Sequence, residues 1–313
     1  MHAKSLVFIF AGLLCCLSLA TPVAQAQQPG ACTKDMFTGT YAFHEKGSSA
    51  VFTGSPQPAP PFWNGMLAPF ATVGEVTMKA NGVGEGFYWI RVGSINGGAD
   101  PIPVETTITE FNADCTGKFS YSLTLPGHTD PTLVTERFIL LENGSEFRTI
   151  PTDIVNGVPY LTWIGEGHRI SRAGEPPHNC GPQTAAGSYV VSVENMVQFS
   201  ASAPIFSDVL LLRYEVSKSG DYEGTLYEKL GPAGNIVLPA SGTIKVNPDC
   251  SLESTLNITI LNKPATISSR GVAFDQGKRF YAIVVSSGGV KFSLIEGKRI
   301  YALPDATSES LDK

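Results

Sequence analysis

The chain has 313 residues, a formal net charge of −6, only 16% charged residues, 32 glycines and 22 prolines. Its length exceeds one typical domain of roughly 100–200 residues, and no basic patch stands out, which argues against nucleic acid as a partner. Gly and Pro break helices and the apolar runs are short and β-branched, so many short strands joined by turns are expected.

At the start, Lys4 gives a positive charge, Ser5 to Ala20 is apolar, and Ala24-Gln25-Ala26 carries small residues in a cleavage pattern. This reads as a secretory signal peptide over 1–26. The apolar run is short of the ~20 residues that a comfortable membrane span takes. A lipoprotein anchor at Cys15 is the rival reading, but Leu14 stands where a small residue is wanted. No second such run follows. The expectation is a secreted or periplasmic protein without a membrane span in its mature part.

Four landmarks then recur in order. Cys32 precedes Gly39-Thr40-Tyr41 as Cys180 precedes Gly187-Ser188-Tyr189. Gly82 to Gly86 matches Gly220 to Gly224, and Asn112-Ala113-Asp114-Cys115 matches Asn247-Pro248-Asp249-Cys250. Glu166-Gly167-His168-Arg169-Ile170 matches Glu296-Gly297-Lys298-Arg299-Ile300. Such self-similarity signals an internal repeat. The domains are placed at 32–172 and 178–303, with a linker at Ser171 to Pro177 and a flexible tail over 304–313. Besides Cys15 and Cys16 in the signal, four cysteines remain, and four allow three connectivities. Each copy holds one Cys before its first strand and one after its Asn-x-Asp turn, so the repeat favours Cys32–Cys115 and Cys180–Cys250 over cross-domain pairing.

Within each copy the period is that of strands. Val104 to Phe111, a turn at Asp114-Cys115-Thr116-Gly117, and Lys118 to Leu123 read as a hairpin; so do Gly242 to Val246 with Ser251 to Leu256, and Phe280 to Val285 with Val290 to Ile295. No capped helix-period stretch is found. About seven or eight strands per copy suit a sandwich or barrel, and an up-and-down barrel is favoured because hairpins need no long crossover and closure removes edges. The fold class is all-β: two tandem antiparallel β-barrels.

The opening Cys…Gly-[Thr/Ser]-Tyr, the Gly-x-x-Glu-Gly turn, the Asn-x-Asp-Cys-Thr-Gly turn and the closing Glu-Gly-x-Arg resemble bacterial secreted proteins with lipocalin-like, allene-oxide-cyclase-like (calycin) barrels. The resemblance covers both copies, although Ser251-Leu252 departs from Thr116-Gly117 in the second and leaves that turn's conformation open. It implies either a barrel that holds an apolar ligand or one that guides a cyclisation without redox chemistry. Fold alone does not decide between them.

No nucleophile elbow, zinc motif, phosphate loop or nucleotide fingerprint occurs, and no cofactor or metal is expected. Gly82 to Gly86 sits between strand-like runs, so it reads as a hairpin turn rather than a phosphate cradle. His44, His128, His168 and His178 lack ligand spacing, and the plain reading of each is a surface histidine. His44 with Glu45 is the acid/base candidate, beside a long loop. That loop carries Phe62, Trp63 and Met66 among prolines. These are the ligand-binding candidates, as a lid over a cavity; the alternative is that they plug the barrel or pack on the other domain. The recurring Glu166-Arg169 and Glu296-Arg299 read as an ion pair or a barrel-end bond. The functional expectation is a double-barrel module that binds a small apolar molecule or is structural, with a cofactor-free cyclase or isomerase as the alternative.

Overall fold

The structure, a computed structural model, describes residues 31–49, 68–92, 95–96, 100–123, 131–155, 162–175, 180–197, 206–230, 234–260, 263–287 and 293–301. Among these residues there are strands and three short 3-10 turns but no α-helix. The chain from Cys32 onward forms one compact unit that holds two closed barrels.

The first barrel comprises β1 (Gly39–Ser49), β2 (Ala68–Met78), β3 (Val83–Val92), the short β4 (Ile95–Asn96), β5 (Ile102–Phe111), β6 (Thr116–Leu123), β7 (Thr132–Leu141), β8 (Glu146–Val155) and β9 (Thr162–Ser171). Neighbours pair antiparallel, β4 is appended to β3, and β1 closes the ring by pairing with both β2 and β9. The second comprises β10 (Gly187–Val197), β11 (Phe206–Val216), β12 (Asp221–Leu230), β13 (Gly234–Val246), β14 (Ser251–Ile260), β15 (Lys263–Phe274), β16 (Arg279–Ser287) and β17 (Ser293–Tyr301). It closes through β10 and β17. All three hairpins expected from the sequence form.

The repeat extends to atomic detail at one end of each barrel. Cys32 is bonded to Cys115 and Cys180 to Cys250, with Cα atoms 5.0 Å apart in both. The two half-cystines after the turn share a left-handed backbone, φ 70° at Cys115 and 67° at Cys250. Asp114 Oδ1 accepts from the Thr116 backbone N–H and hydroxyl, and Asp249 Oδ1 does the same for Ser251. The turn therefore survives the sequence departure: Ser251 supplies the same two donors as Thr116.

Tyr41 donates to the Gly144 carbonyl at 2.7 Å and Tyr189 to the Gly277 carbonyl at 2.6 Å. Both glycines have positive φ, 77° and 74°. A Cβ on either would lie about 2 Å from a carbonyl oxygen of the leading segment, at Met36 or Thr184, so only glycine fits. Arg169 donates to the Met36 and Asn143 carbonyls, and Arg299 to those of Thr184, Ala186 and Gln276. Of the two readings of the recurring Glu-x-x-Arg, the arginine takes the barrel-end bond.

Along a strand, side chains alternate between interior and exterior. β7 shows this cleanly, with Thr132, Val134, Glu136, Phe138 and Leu140 buried and the residues between them more exposed. β16 does not: Phe280 to Val285 are all buried. Phe280 and Ala282 belong to the core of the second barrel. Tyr281, Ile283 and Val285 pack instead with Ala42, Ala71, Val73 and Trp89 of the first barrel. Arg91 of β3 donates to the Val284 carbonyl at 2.7 Å. The barrels thus share a third, intermediate core.

Candidate functional site inside the first barrel

β1 sorts its residues by parity. Tyr41, Phe43 and Glu45 face the interior, whereas Ala42 and His44 face the second barrel. The acid/base candidates His44 and Glu45 are therefore on opposite sides of one barrel wall. His44 is 3% exposed, its ring centroid is 4.1 Å from that of Tyr281, and Nε2 is 3.6 Å from Glu296 Oε1. Burial lowers its pKa from 6.5 to about 4. His168 is also buried at this junction, stacked on Phe274, with its ring nitrogens facing carboxylate oxygens of Glu146 and Glu166. The surface reading of these two histidines is thus corrected: their strands are outward for one barrel but covered by the other. For Glu166, burial opposes ionisation, but hydrogen bonds from His168 and Arg148 and the Arg148 charge prevail and hold its carboxyl at about 2. His128, His178, Phe62, Trp63 and Met66 lie outside the described residues.

Glu45 meets a second carboxyl inside the barrel. Tyr121 Oη is 2.7 Å from Glu136 Oε1 and 3.2 Å from Glu45 Oε1. Trp163 Nε1–H donates to Glu136 Oε1 at 2.6 Å, and the Thr72 hydroxyl donates to Glu45 Oε2 at 2.7 Å. Glu136 is 0% and Glu45 6% exposed. A phenol has one proton, and the shorter contact places it on Glu136. The longer contact to Glu45 is a second, weaker share of that proton, and a protonated Glu45 carboxyl can donate in turn. The electrostatics agree. Burial and the neighbouring Glu136 push the Glu45 pKa well above the usual carboxylate range. Burial also raises Glu136, opposed by the hydrogen bonds from Tyr121 and Trp163. A neutral Glu45, Tyr121 and Glu136 form a hydrogen-bonded chain. Glu136 Oε2 and the nearby Thr149 Oγ1 are both buried and, among the described residues, have no well-formed hydrogen-bond partner other than each other.

This chain borders a cavity of about 50 Å³ walled by Phe43, Glu45, Thr72, Tyr88, Thr106 and Tyr121, with Phe37, Phe119 and Phe147 toward the disulfide end. On the other side, Phe70 and Trp163 stack with centroids 5.0 Å apart.

The second barrel supplies an internal control. The pairing registers superpose the two barrels strand by strand. Glu45 then corresponds to Val193, Thr72 to Leu210, Tyr121 to Leu256, Glu136 to Ser269 and Thr149 to Ala282. Gly165, opposite Glu45, corresponds to Ile295, opposite Val193. A Cβ on Gly165 would lie 2.2 Å from Thr149 Oγ1 and 3.2 Å from Glu45 Cγ. The glycine leaves room for the polar cluster, where the twin barrel packs an isoleucine against its core. The scaffold closes without acids inside it, so folding alone does not account for the cluster.

The sequence reading missed Glu136, Tyr121, Thr72 and Trp163. A signal existed. Glu136 occupies an inward position in the alternating run Thr132 to Leu141, where an acid breaks the apolar pattern.

Among the described residues, no group of three or more His, Cys, Asp or Glu is placed to hold a metal ion. No protein-family model matches the chain, and no curated protein matches it. Two solved structures are similar at low score. One is a protein of unknown function of the DUF3598 family from Nostoc punctiforme: 8% identity, 86% of this chain and 99% of that one covered, TM-score 0.24. The other is a protein from Bacteroides fragilis described provisionally as an outer membrane protein: 11% identity, 86% and 100% covered, TM-score 0.24. At these scores neither likeness carries an argument about this chain.

Proposed function

We propose that the chain is an exported double-barrel binding protein whose first barrel takes a small, largely apolar molecule, the second barrel serving as its structural partner. One observation carries this reading: the first barrel keeps a buried carboxyl pair beside a cavity, at positions where the second carries Val193, Leu256, Ser269 and Ile295. Buried unpaired polar atoms are costly, and perturbed carboxyls beside an apolar cavity mark candidate sites. The two disulfides fit an oxidising compartment, and a signal peptide over 1–26 would deliver the chain there. The lipocalin-like resemblance fits the same role, and Phe62, Trp63 and Met66 remain the proposed cover.

The test imports the filling of the second barrel into the first. The double variant Gly165→Ile with Thr149→Ala should keep a cooperative melt and lose the thermal stabilisation that small apolar ligands give the natural protein. At a ligand concentration of about 100 times Kd, that stabilisation is about 2.7 kcal/mol. Equal stabilisation of the two proteins would contradict the assignment.

A second reading, a cofactor-free cyclase or isomerase, draws on the same hydrogen-bonded chain. A carboxyl kept neutral by burial at a cavity wall is a general-acid arrangement. In that case Glu45→Gln would retain ligand and abolish its conversion. Conversion unchanged in the variant would remove this reading.

A further inference from the structure

The interior of the first barrel is unbalanced in charge. Glu45 and Glu136 are both buried within it. The buried Arg91, His44 and His168 of that barrel point to the other barrel instead. The neighbouring charge that acts most on Glu45 is that of Glu136. Among the described residues, Glu136 Oε2, on a fully buried residue, has no partner beyond the adjacent Thr149 hydroxyl. The cavity beside Glu45 is lined by Phe43, Tyr88 and Tyr121 and by Thr72 and Thr106, with a largely apolar surface.

A wall of aromatic faces around a carboxyl is the chemistry that recognises an organic cation: the rings attract it through their quadrupoles, and the acid pairs with it. An alcohol would gain only a neutral hydrogen bond. A carboxylate would be repelled by Glu136. A buried ion pair is favourable only when its remaining donors are satisfied; Thr72 and Thr106 line the cavity, and each hydroxyl, although it donates to Glu45 or to the Ser120 carbonyl, keeps lone pairs that can accept. We propose that the first barrel binds a small apolar amine, with its ammonium group on Glu45 and its hydrocarbon part among the aromatic rings. The inference rests on the reading that this barrel takes a small molecule. The charge balance is simple: an ammonium ion enters, the neutral Glu45 carboxyl becomes a carboxylate, and its proton leaves to solvent. Affinity therefore rises with pH while the amine itself stays protonated.

The experiment is calorimetry on the intact protein with butylamine, butanol and butyrate, between about pH 6 and 9, in buffers of different ionisation enthalpy so that protons are counted. The expected result is butylamine tightest, by at least about tenfold over butanol, with release of one proton and with the amine's advantage lost in Glu45→Gln. Proton release is measured on the natural protein and does not depend on the variant's folding. Butanol or butyrate binding as tightly as butylamine, or amine binding without proton release, would overturn the amine while leaving the small-molecule reading in place. No binding of any of the three would overturn both.

Discussion

Glu136 accepts two hydrogen bonds on Oε1, and Glu45 lies one phenol away. Both carboxyls have folded pKa values above the ordinary glutamate value of ~4.3. A raised carboxyl means that the folded state binds protons more tightly than the unfolded one. The pair's contribution to stability is therefore complete below about pH 4.3 and is lost as pH rises through the elevated values. Glu136→Gln keeps an acceptor for Tyr121 and Trp163, removes the charge and lets the new amide donate toward Thr149. Denaturant titrations from acid to neutral pH should show it more stable than the natural protein at neutral pH, by roughly 1–3 kcal/mol, with a flatter pH slope. An unchanged slope would mean that the pair does not carry the proton. His44 has the opposite sign. Its pKa falls from 6.5 to about 4, so its contribution is complete above about 6.5 and is lost as pH drops toward 4. Up to about 3 kcal/mol is involved, and His44→Gln should flatten that acid limb.

The strand and turn scale shows what the sequence makes visible. Disulfide pairing and hairpins follow from matched offsets and from period-two alternation, because both are local or repeated signals. The turn Glu142-Asn143-Gly144 and its twin Asp275-Gln276-Gly277, with three successive left-handed residues each, passed unnoticed because only the final glycine is shared. Gly277→Ala combines a positive φ with a close approach to the Thr184 carbonyl and should destabilise by more than about 1 kcal/mol, read from the denaturant midpoint. β16 was legible as a strand, but its unbroken apolar run, Phe280 to Val285, had a further meaning. A strand buried on both faces loses alternation, and this run marks where the barrels meet. His44 and Glu45 were singled out as neighbours in sequence, yet strand geometry sends neighbours to opposite faces. The partners of Glu45 come from β2, β6, β7 and β9, and long-range pairing of that kind leaves no mark in local spacing.

For the whole molecule, the shared core limits the independence of the repeats. Residues 178–303 expressed alone keep their own interior and disulfide, so a cooperative melt and a β-type circular dichroism spectrum are expected. The fragment would expose Val272, Phe274, Tyr281 and Ile283, which the first barrel covers in the full chain. Its midpoint should fall below that of the intact protein, and it should self-associate, as large exposed apolar patches do. A fragment as stable as the whole and strictly monomeric would contradict the intermediate core.

Among the described residues the two barrels differ inside: the first places paired acids beside a cavity, where the second carries Val193, Leu256, Ser269 and Ile295, and the proposed binding role rests on that difference. The most direct measurement is methyl nuclear magnetic resonance of the intact protein during a butylamine titration. Val76 and Val104 border the cavity of the first barrel, whereas Leu212 and Val246 lie in the packed core or wall of the second. The account predicts saturable shifts at Val76 and Val104, with Leu212 and Val246 unmoved. Shifts in both barrels alike, or in neither, would contradict it.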